Sequence, residues 1–303
     1  MAVLAAGVLI AATSSILIRY AQQAGLSSLT ISAGRMGLAV LLLTPLVAWR
    51  ARAEVARLAR RDWGIGIAAG AFLAVHFATW ISSLEYTSVA SSAALVTTNP
   101  IWVGLASWLI LREPPARAAA IGIALSMAGS LAILLGDAPG AGGKAPLLGN
   151  ALALAGAVAV SGYFLVGRTL RHRVSLLVYI WIAYGAAALL LIVAAVTEAV
   201  AAMGAASVAS SAPDPAALAL APWIGWLCVA GLAVGPQLLG HTAFNWSLRR
   251  LSATFVAVSI LGEPLGSAFF AWLLFGEGIS ATQSVGFALL LAGIVVASLA
   301  ERR

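Results

Sequence analysis

Apolar residues in this chain follow one another in long uninterrupted runs, and polar residues gather in the short segments between them. Ten such runs can be drawn, at 2–19, 29–49, 63–84, 88–111, 116–136, 146–168, 174–198, 222–248, 252–275 and 280–300. At 1.5 Å per residue each is long enough to cross roughly 30 Å of hydrocarbon as a helix. The pattern therefore predicts ten membrane-spanning helices joined by short loops. The first run has no basic leader before it and meets Arg19 where a cleavage site would need small residues, so it is read as a retained helix. The segment 199–221, rich in alanine, serine and proline, is the only long loop this reading leaves.

Composition strengthens the membrane assignment. Hydrophobic residues make up 62% of the 303 and charged residues only 9%, with a mean hydropathy of +1.02; a soluble domain carries roughly a quarter charged residues. The net charge of +7 would otherwise suggest a nucleic-acid partner. Its distribution points elsewhere. With the N-terminus inside, fourteen of seventeen basic residues fall in cytoplasmic segments, leaving Arg19 and Lys144 outside and Arg35 within the second run. Such a bias is what membrane insertion produces, so both termini are expected on the cytoplasmic side and no nucleic acid is expected as a partner. The single cysteine, Cys228, lies inside a span and makes an intrachain disulfide impossible.

Displacing the chain by 164 residues aligns 83–129 with 247–293 without a gap. Ser83 meets Ser247, Ser88 meets Ser252, Pro100 meets Pro264, Trp108 meets Trp272, Glu113 meets Glu277, Gly122 meets Gly286 and Gly129 meets Gly293. Proline, tryptophan, glutamate and glycine recurring in one order indicate a duplication. The shared block covers spans three to five and eight to ten, so each copy holds five helices, and an odd number places the second copy upside down. The expected domains are 1–138 and 146–303, giving an all-α integral membrane fold of two inverted five-helix repeats around a central cavity. Inverted repeats recur in secondary transporters, where two copies exchange conformations around a central site.

The stretch 99–136, with Pro100, Trp108, Arg112-Glu113, Gly122 and Gly129, and its second copy at 263–300, resembles the EamA repeat of the drug/metabolite transporter superfamily. Within it the chain is most similar to the YddG-type exporters of aromatic and other amino acids. The resemblance implies a basket of ten helices in the bacterial inner membrane, its cavity lined largely by helices three, four, eight and nine. Amino acids or related metabolites would leave the cytoplasm through it. Drugs, aromatic cations, nucleotide sugars and other metabolites are the alternative cargoes. The partners expected are this small-molecule substrate and the lipid bilayer, with a functional monomer and no cofactor.

Asn99-Pro100 and Glu263-Pro264 are repeat mates about eleven residues into their runs, near mid-membrane. Proline removes a backbone donor and permits a bend, so Pro100 and Pro264 are candidate bend or gating positions. Glu263 would contact a substrate amine or carry a proton, or else bridge helices, since an unpaired intramembrane carboxylate is costly. A second set of candidates is aromatic: Trp80, Trp102, Tyr163, Trp181, Tyr184 and Phe244, of which Trp80 and Phe244 are mates. An indole or phenol supplies both the apolar wall and the polar tip that a cavity needs, although helix packing accounts for such rings equally well. His76 and His241 miss alignment as mates by one residue. They either donate to carbonyls or titrate in a proton-linked cycle. Gln237 and Asn245, with Pro236, give span eight a polar lining.

Arg35 is expected to snorkel outward or pair with Glu85, the alternative being a substrate carboxylate. Trp49, Trp63, Trp223, Trp226 and Trp246 lie near span ends and read as interfacial anchors. Glu113, Pro114 and Glu277 read as helix-start signals, and Gly122, Gly129, Gly286 and Gly293 as close helix contacts. Other classes find little support. The chain has three histidines, no HExxH and no cysteine cluster, so no metal site is expected; its aspartates, Asp62, Asp137 and Asp214, lie in or beside loops, and no GxxxxGK[ST] loop is present. An enzyme, an ATP-driven pump and a structural scaffold are thus set aside in favour of facilitated, exchange or ion-coupled transport.

Overall fold

In the computed structural model, which describes residues 2–109, 112, 116–135, 144–208, 221–275 and 280–301, the apolar runs are helices and no strand occurs among the described residues. The helices are α1 (Ala2–Ala11), α2 (Ser14–Gln23), α3 (Ser28–Arg50), α4 (Arg52–Ala56), α5 (Arg60–Tyr86), α6 (Val89–Val96), α7 (Asn99–Leu109) and α8 (Arg117–Leu135). The second part of the chain forms α9 (Pro146–Arg171), α10 (Leu176–Val208), α11 (Pro222–Leu232), a π-helical stretch (Ala233–His241), α12 (Thr242–Ser247), α13 (Ala253–Ile260), α14 (Glu263–Phe275) and α15 (Ala281–Glu301). Among the described residues, seven stretches are long and apolar enough to cross a membrane: 2–23, 28–50, 60–86, 146–171, 176–203, 222–247 and 255–274. Arg117–Ile133 and Ala281–Val296 are shorter apolar helices. The protein is a multi-pass membrane protein.

Its exterior is that of a body in lipid. Leu41, Leu42, Leu189, Val193, Leu227, Phe269 and Leu273 are exposed, whereas Ser32, Arg35, Asn99, Gln237 and Asn245 are buried. In water this would invert the usual distribution; in hydrocarbon the apolar side chains meet their own kind. Four of the five tryptophans near span ends, Trp49, Trp223, Trp226 and Trp246, project outward. The guanidinium groups of Arg50 and Arg250 lie 4.6 and 4.2 Å from the ring centroids of Trp49 and Trp246, a pairing suited to the headgroup region. Trp63 is half-buried against Trp181.

Four runs expected to be single helices are interrupted. The first breaks between α1 and α2. The fourth breaks at Thr97-Thr98, before Pro100, and the ninth at Leu261-Gly262, before Pro264. The prolines thus occupy the first turn of a new helix, where a missing N–H costs least, rather than bending a continuous one. Each break tightens into the same bond: Thr98 N–H donates to Leu95 O and Gly262 N–H to Ser259 O, both at 3.1 Å. The preceding half-helices are capped alike, since the Ser88 and Ser252 hydroxyls accept from the backbone N–H of Ser91 and Phe255 at 2.9 and 3.1 Å. In the eighth run Pro236 falls inside the π-helical stretch, where the ladder widens around the donor it lacks.

Contrary to expectation, 199–208 continues α10 rather than opening a loop. Its alanines are the strongest helix formers and nothing there breaks the ladder. Glu113, Pro114 and Glu277, residues 209–220, Asp137, Asp214, Arg302 and Arg303 lie outside the described residues.

Helix pairing decides what reaches the centre. α8 packs along α15, α5 along α9, and α3 along α10; α1 lies against the π-helical stretch and α2 against α11. The broken runs cross each other, α6 touching α14 and α7 touching α13. At the α8–α15 crossing a Cβ on Gly129 would sit 2.6 Å from Gly286 O and 2.8 Å from Leu290 N, and one on Gly293 would sit 2.6 Å from Gly122 O and 2.8 Å from Ser126 N. Gly129, Gly286 and Gly293 let two backbones approach as no other residue would.

Candidate functional site

The helix interruptions converge on a tight cavity of about 30 Å³. Ser14, just after the α1–α2 break, lies on its wall, as do Thr97 and Asn99 from the second break and Glu263 from the third. The π-helical stretch contributes His241, α12 contributes Phe244, α5 contributes His76 and Trp80, and α9 contributes Val160 and Phe164. Val96 and Ile260 complete the lining. A break is where backbone and side-chain polar groups can face a cavity without forfeiting a regular ladder, which makes it a natural place for a ligand site at membrane depth.

Of the candidates named from sequence, the cavity brings together His76, Trp80, Asn99, His241, Phe244 and Glu263. Three pairs in its lining are separated by 164 residues: Trp80 with Phe244, Val96 with Ile260, and Asn99 with Glu263. The His76 ring is held by a 2.9 Å bond from Nδ1 to Gly156 O. A carbonyl only accepts, so Nδ1 carries the proton. His76 stacks on Trp80 with ring centroids 5.6 Å apart, and His241 lies 5.4 Å from both Phe77 and Phe244. Gly156 keeps this side open, because a Cβ there would lie 3.2 Å from Trp80 Cβ and from Thr79 Oγ1. The Trp80 Nε1 donor, the Asn99 Oδ1 acceptor and His241 Nδ1 are buried without a protein partner.

The remaining candidates lie outside this lining. Trp102 is half-buried and donates from Nε1 to Thr98 Oγ1 at 3.3 Å, beside the break but not on the wall. Trp181 lines an outer groove with Trp63 and Thr44, donating to Thr44 Oγ1 at 3.1 Å. Tyr163, Tyr184 and Asn245 form a second buried polar cluster, in which Asn245 Nδ2 donates to Tyr163 Oη at 2.6 Å and to His241 O at 2.8 Å. Tyr184 Oη lies at the longer distance of 3.4 Å. Arg171 closes this cluster, donating from Nε to Asn245 O at 3.3 Å and from Nη1 to Val174 O at 2.9 Å. Gln237 is fully buried and bound to Arg35.

Arg35 departs most from expectation. It neither snorkels nor pairs with Glu85, whose carboxylate instead accepts from the Ser28 hydroxyl. It is fully buried, donates from Nε to Gln237 Oε1 at 2.9 Å, and lies 4.1 Å from the Phe77 ring centroid. A position six residues into a helix gives depth but not direction; α10 and the π-helical stretch pack against α3 and turn the arginine inward. Of the lining residues missed from sequence, Val96, Thr97 and Ile260 lie just before Pro100 and Pro264 and could have been found there. Ser14, Val160 and Phe164 carried no signal.

Interrupted apolar helices around a cavity whose wall carries one carboxylate, one amide, two imidazoles and several rings define a helical membrane protein with a polar centre. The model of the EamA-like transporter family matches the chain twice, over residues 1–135 and 147–299. The chain belongs to the EamA-like transporter family. An uncharacterized transporter of Archaeoglobus fulgidus is 31% identical over 72 residues, a stretch covering 24% of this chain and 27% of that protein. A solved crystal structure superimposes with a TM-score of 0.71 at 21% identity, covering 99% of this chain and 96% of that one, so the fold is shared.

Proposed function

We propose that the protein is a secondary transporter that exports aromatic and other neutral amino acids across a bacterial inner membrane by alternating access. It works as a monomer of ten spans in two inverted five-helix repeats, with both termini in the cytoplasm. The observation that carries this reading is the cavity lined by pairs of residues 164 apart at two equivalent helix breaks. Two copies of one unit facing a common site can swap conformations, opening it to one side and then the other. The equal contacts made by Gly129 and Gly293, and the crossed pairing of α6 with α14 and α7 with α13, support the same two-fold relation.

Glu263 holds the substrate ammonium, Asn99 adds a neutral acceptor, and the rings of Trp80, Phe164 and Phe244 pack the side chain. Pro100 and Pro264 make the breaks that let the half-helices tilt. The modest number of intramembrane cations argues against a polyphosphate-bearing cargo, which would want several. An aromatic amine cation is the second reading, favoured by a carboxylate set among rings. The test is uptake of labelled amino acids and aromatic amines by proteoliposomes, with and without a proton gradient. Protein-dependent flux of neutral amino acids, lowered by Glu263→Gln in a folded variant, is the expected result. Flux of amines alone would select the second reading, and no flux of either would refute both.

A further inference from the structure

Arg35 is the largest fully buried side chain among the described residues, and only its Nε has a protein acceptor. Nη1 and Nη2 have none. Because a guanidinium can only donate, the atom of Gln237 facing Nε must be the amide oxygen. The amide nitrogen of Gln237 is thereby turned away, and it too is buried without a partner. Three donor nitrogens, two of them on the guanidinium, thus lie buried beside the Tyr184 hydroxyl without a well-formed hydrogen bond, and no carboxylate lies within 4.0 Å of Arg35 among the described residues. Burial of that kind is costly unless an acceptor arrives. Two rings separate the arrangement from the cavity: Arg35 lies on Phe77, Phe77 lies against His241, and His241 is on the cavity wall. Glu263 stands on that same wall.

We infer that Arg35 and Gln237 form a carboxylate subsite, which takes the carboxylate of a zwitterionic ligand while Glu263 and Asn99 take its ammonium, once the rings of Phe77 and His241 turn aside. The Arg35 and Gln237 donors stand behind the rings, whereas Asn99 Oδ1 and the Glu263 carboxylate stand on the cavity wall as acceptors, beside the Trp80 Nε1 donor. The fork of Nη1 and Nη2 matches two carboxylate oxygens, a geometry lysine does not reproduce. Phe77 stacked on the guanidinium keeps the fork from turning to other partners. This inference rests on the proposed amino-acid transport and assigns the residues that read the acid end of the cargo.

The test compares three probes sharing one aromatic ring, L-phenylalanine, L-phenylalanine amide and 2-phenylethylamine, in binding to and flux through the full-length protein in liposomes. Wild type should favour L-phenylalanine over the other two at least tenfold. Arg35→Gln should lose that preference, with L-phenylalanine weakened at least tenfold and the amide and amine changed less than twofold. Gln237→Glu supplies an internal carboxylate to the guanidinium. It should preserve or raise the thermal midpoint while weakening L-phenylalanine to the same degree, so the idea stays testable if Arg35→Gln does not fold. Equal weakening of all three probes, or an unchanged preference in both variants, overturns the subsite while leaving amino-acid transport standing. If wild type neither binds nor moves any of the three, the transport reading and the subsite fall together.

Discussion

Adding one methyl group at the α8–α15 crossing tests the proposed two-fold architecture directly. A Cβ on Gly129 would meet Gly286 O at 2.6 Å and Leu290 N at 2.8 Å; one on Gly293, its mate 164 residues on, would meet Gly122 O at 2.6 Å and Ser126 N at 2.8 Å. All four obstacles are backbone atoms of an intact helix, so no side chain can swing aside. Restoring an ordinary contact of 3.4 Å from 2.6 Å requires the helices to part by about 0.8 Å. A radial gap of that size forfeits roughly a quarter to a half of the dispersion energy across the surfaces it separates, and overpacking of this kind typically costs about 1–3 kcal/mol. Gly129→Ala and Gly293→Ala should therefore each lower the thermal midpoint of the purified protein by several degrees, at about 2–4 °C per kcal/mol for a chain of this class. The two losses should be similar, with Gly293→Ala the larger because its Cβ also meets the Ser126 hydroxyl. The double variant should lose less than the sum, since one separation of the helices relieves both sites. Melting in detergent with a thiol-reactive or intrinsic fluorescence readout measures all three. The reasoning is refuted if either alanine is tolerated within a degree, or if one site costs more than about three times the other.

Trp80→Ala should reduce transport strongly while Trp181→Ala leaves it near wild type, because Trp80 is on the cavity wall and Trp181 is in an outer groove; initial rates in proteoliposomes separate them. Gly156→Val should impair flux more than stability by pushing on Trp80 and Thr79, and comparison of uptake with melting temperature reads the split. Pro236→Ala restores a donor inside the π-helical stretch and should let it relax toward an α-helix, shifting Gln237 and His241 around the axis. Loss of substrate binding with an unchanged or raised melting point is the expected outcome, and unchanged binding would show that the wide turn does not position them.

What the sequence determined by itself was everything that depends on local composition and order. The apolar runs required helices, because a backbone in hydrocarbon must satisfy its own hydrogen bonds. The 164-residue offset picked out Asn99 and Glu263 and the crossing glycines, since matching residues at one fixed spacing are visible in one dimension. Even the breaks were half legible at Pro100 and Pro264, although proline alone does not say whether a helix bends or restarts. Tertiary structure decided direction. Trp181 and Trp80 are both aromatic residues deep in apolar runs, and only packing of α10 against α3 and α5 turned the first toward the outer groove, while α9 against α5 helped enclose the second. Arg35 read as a side chain that would reach water; α10 and the π-helical stretch buried it against Gln237 instead. A run that is apolar all round carries no amphipathic stripe to say which side faces its neighbours. In lipid that choice belongs to packing and buried polar pairing, and these exist only once the helices have met.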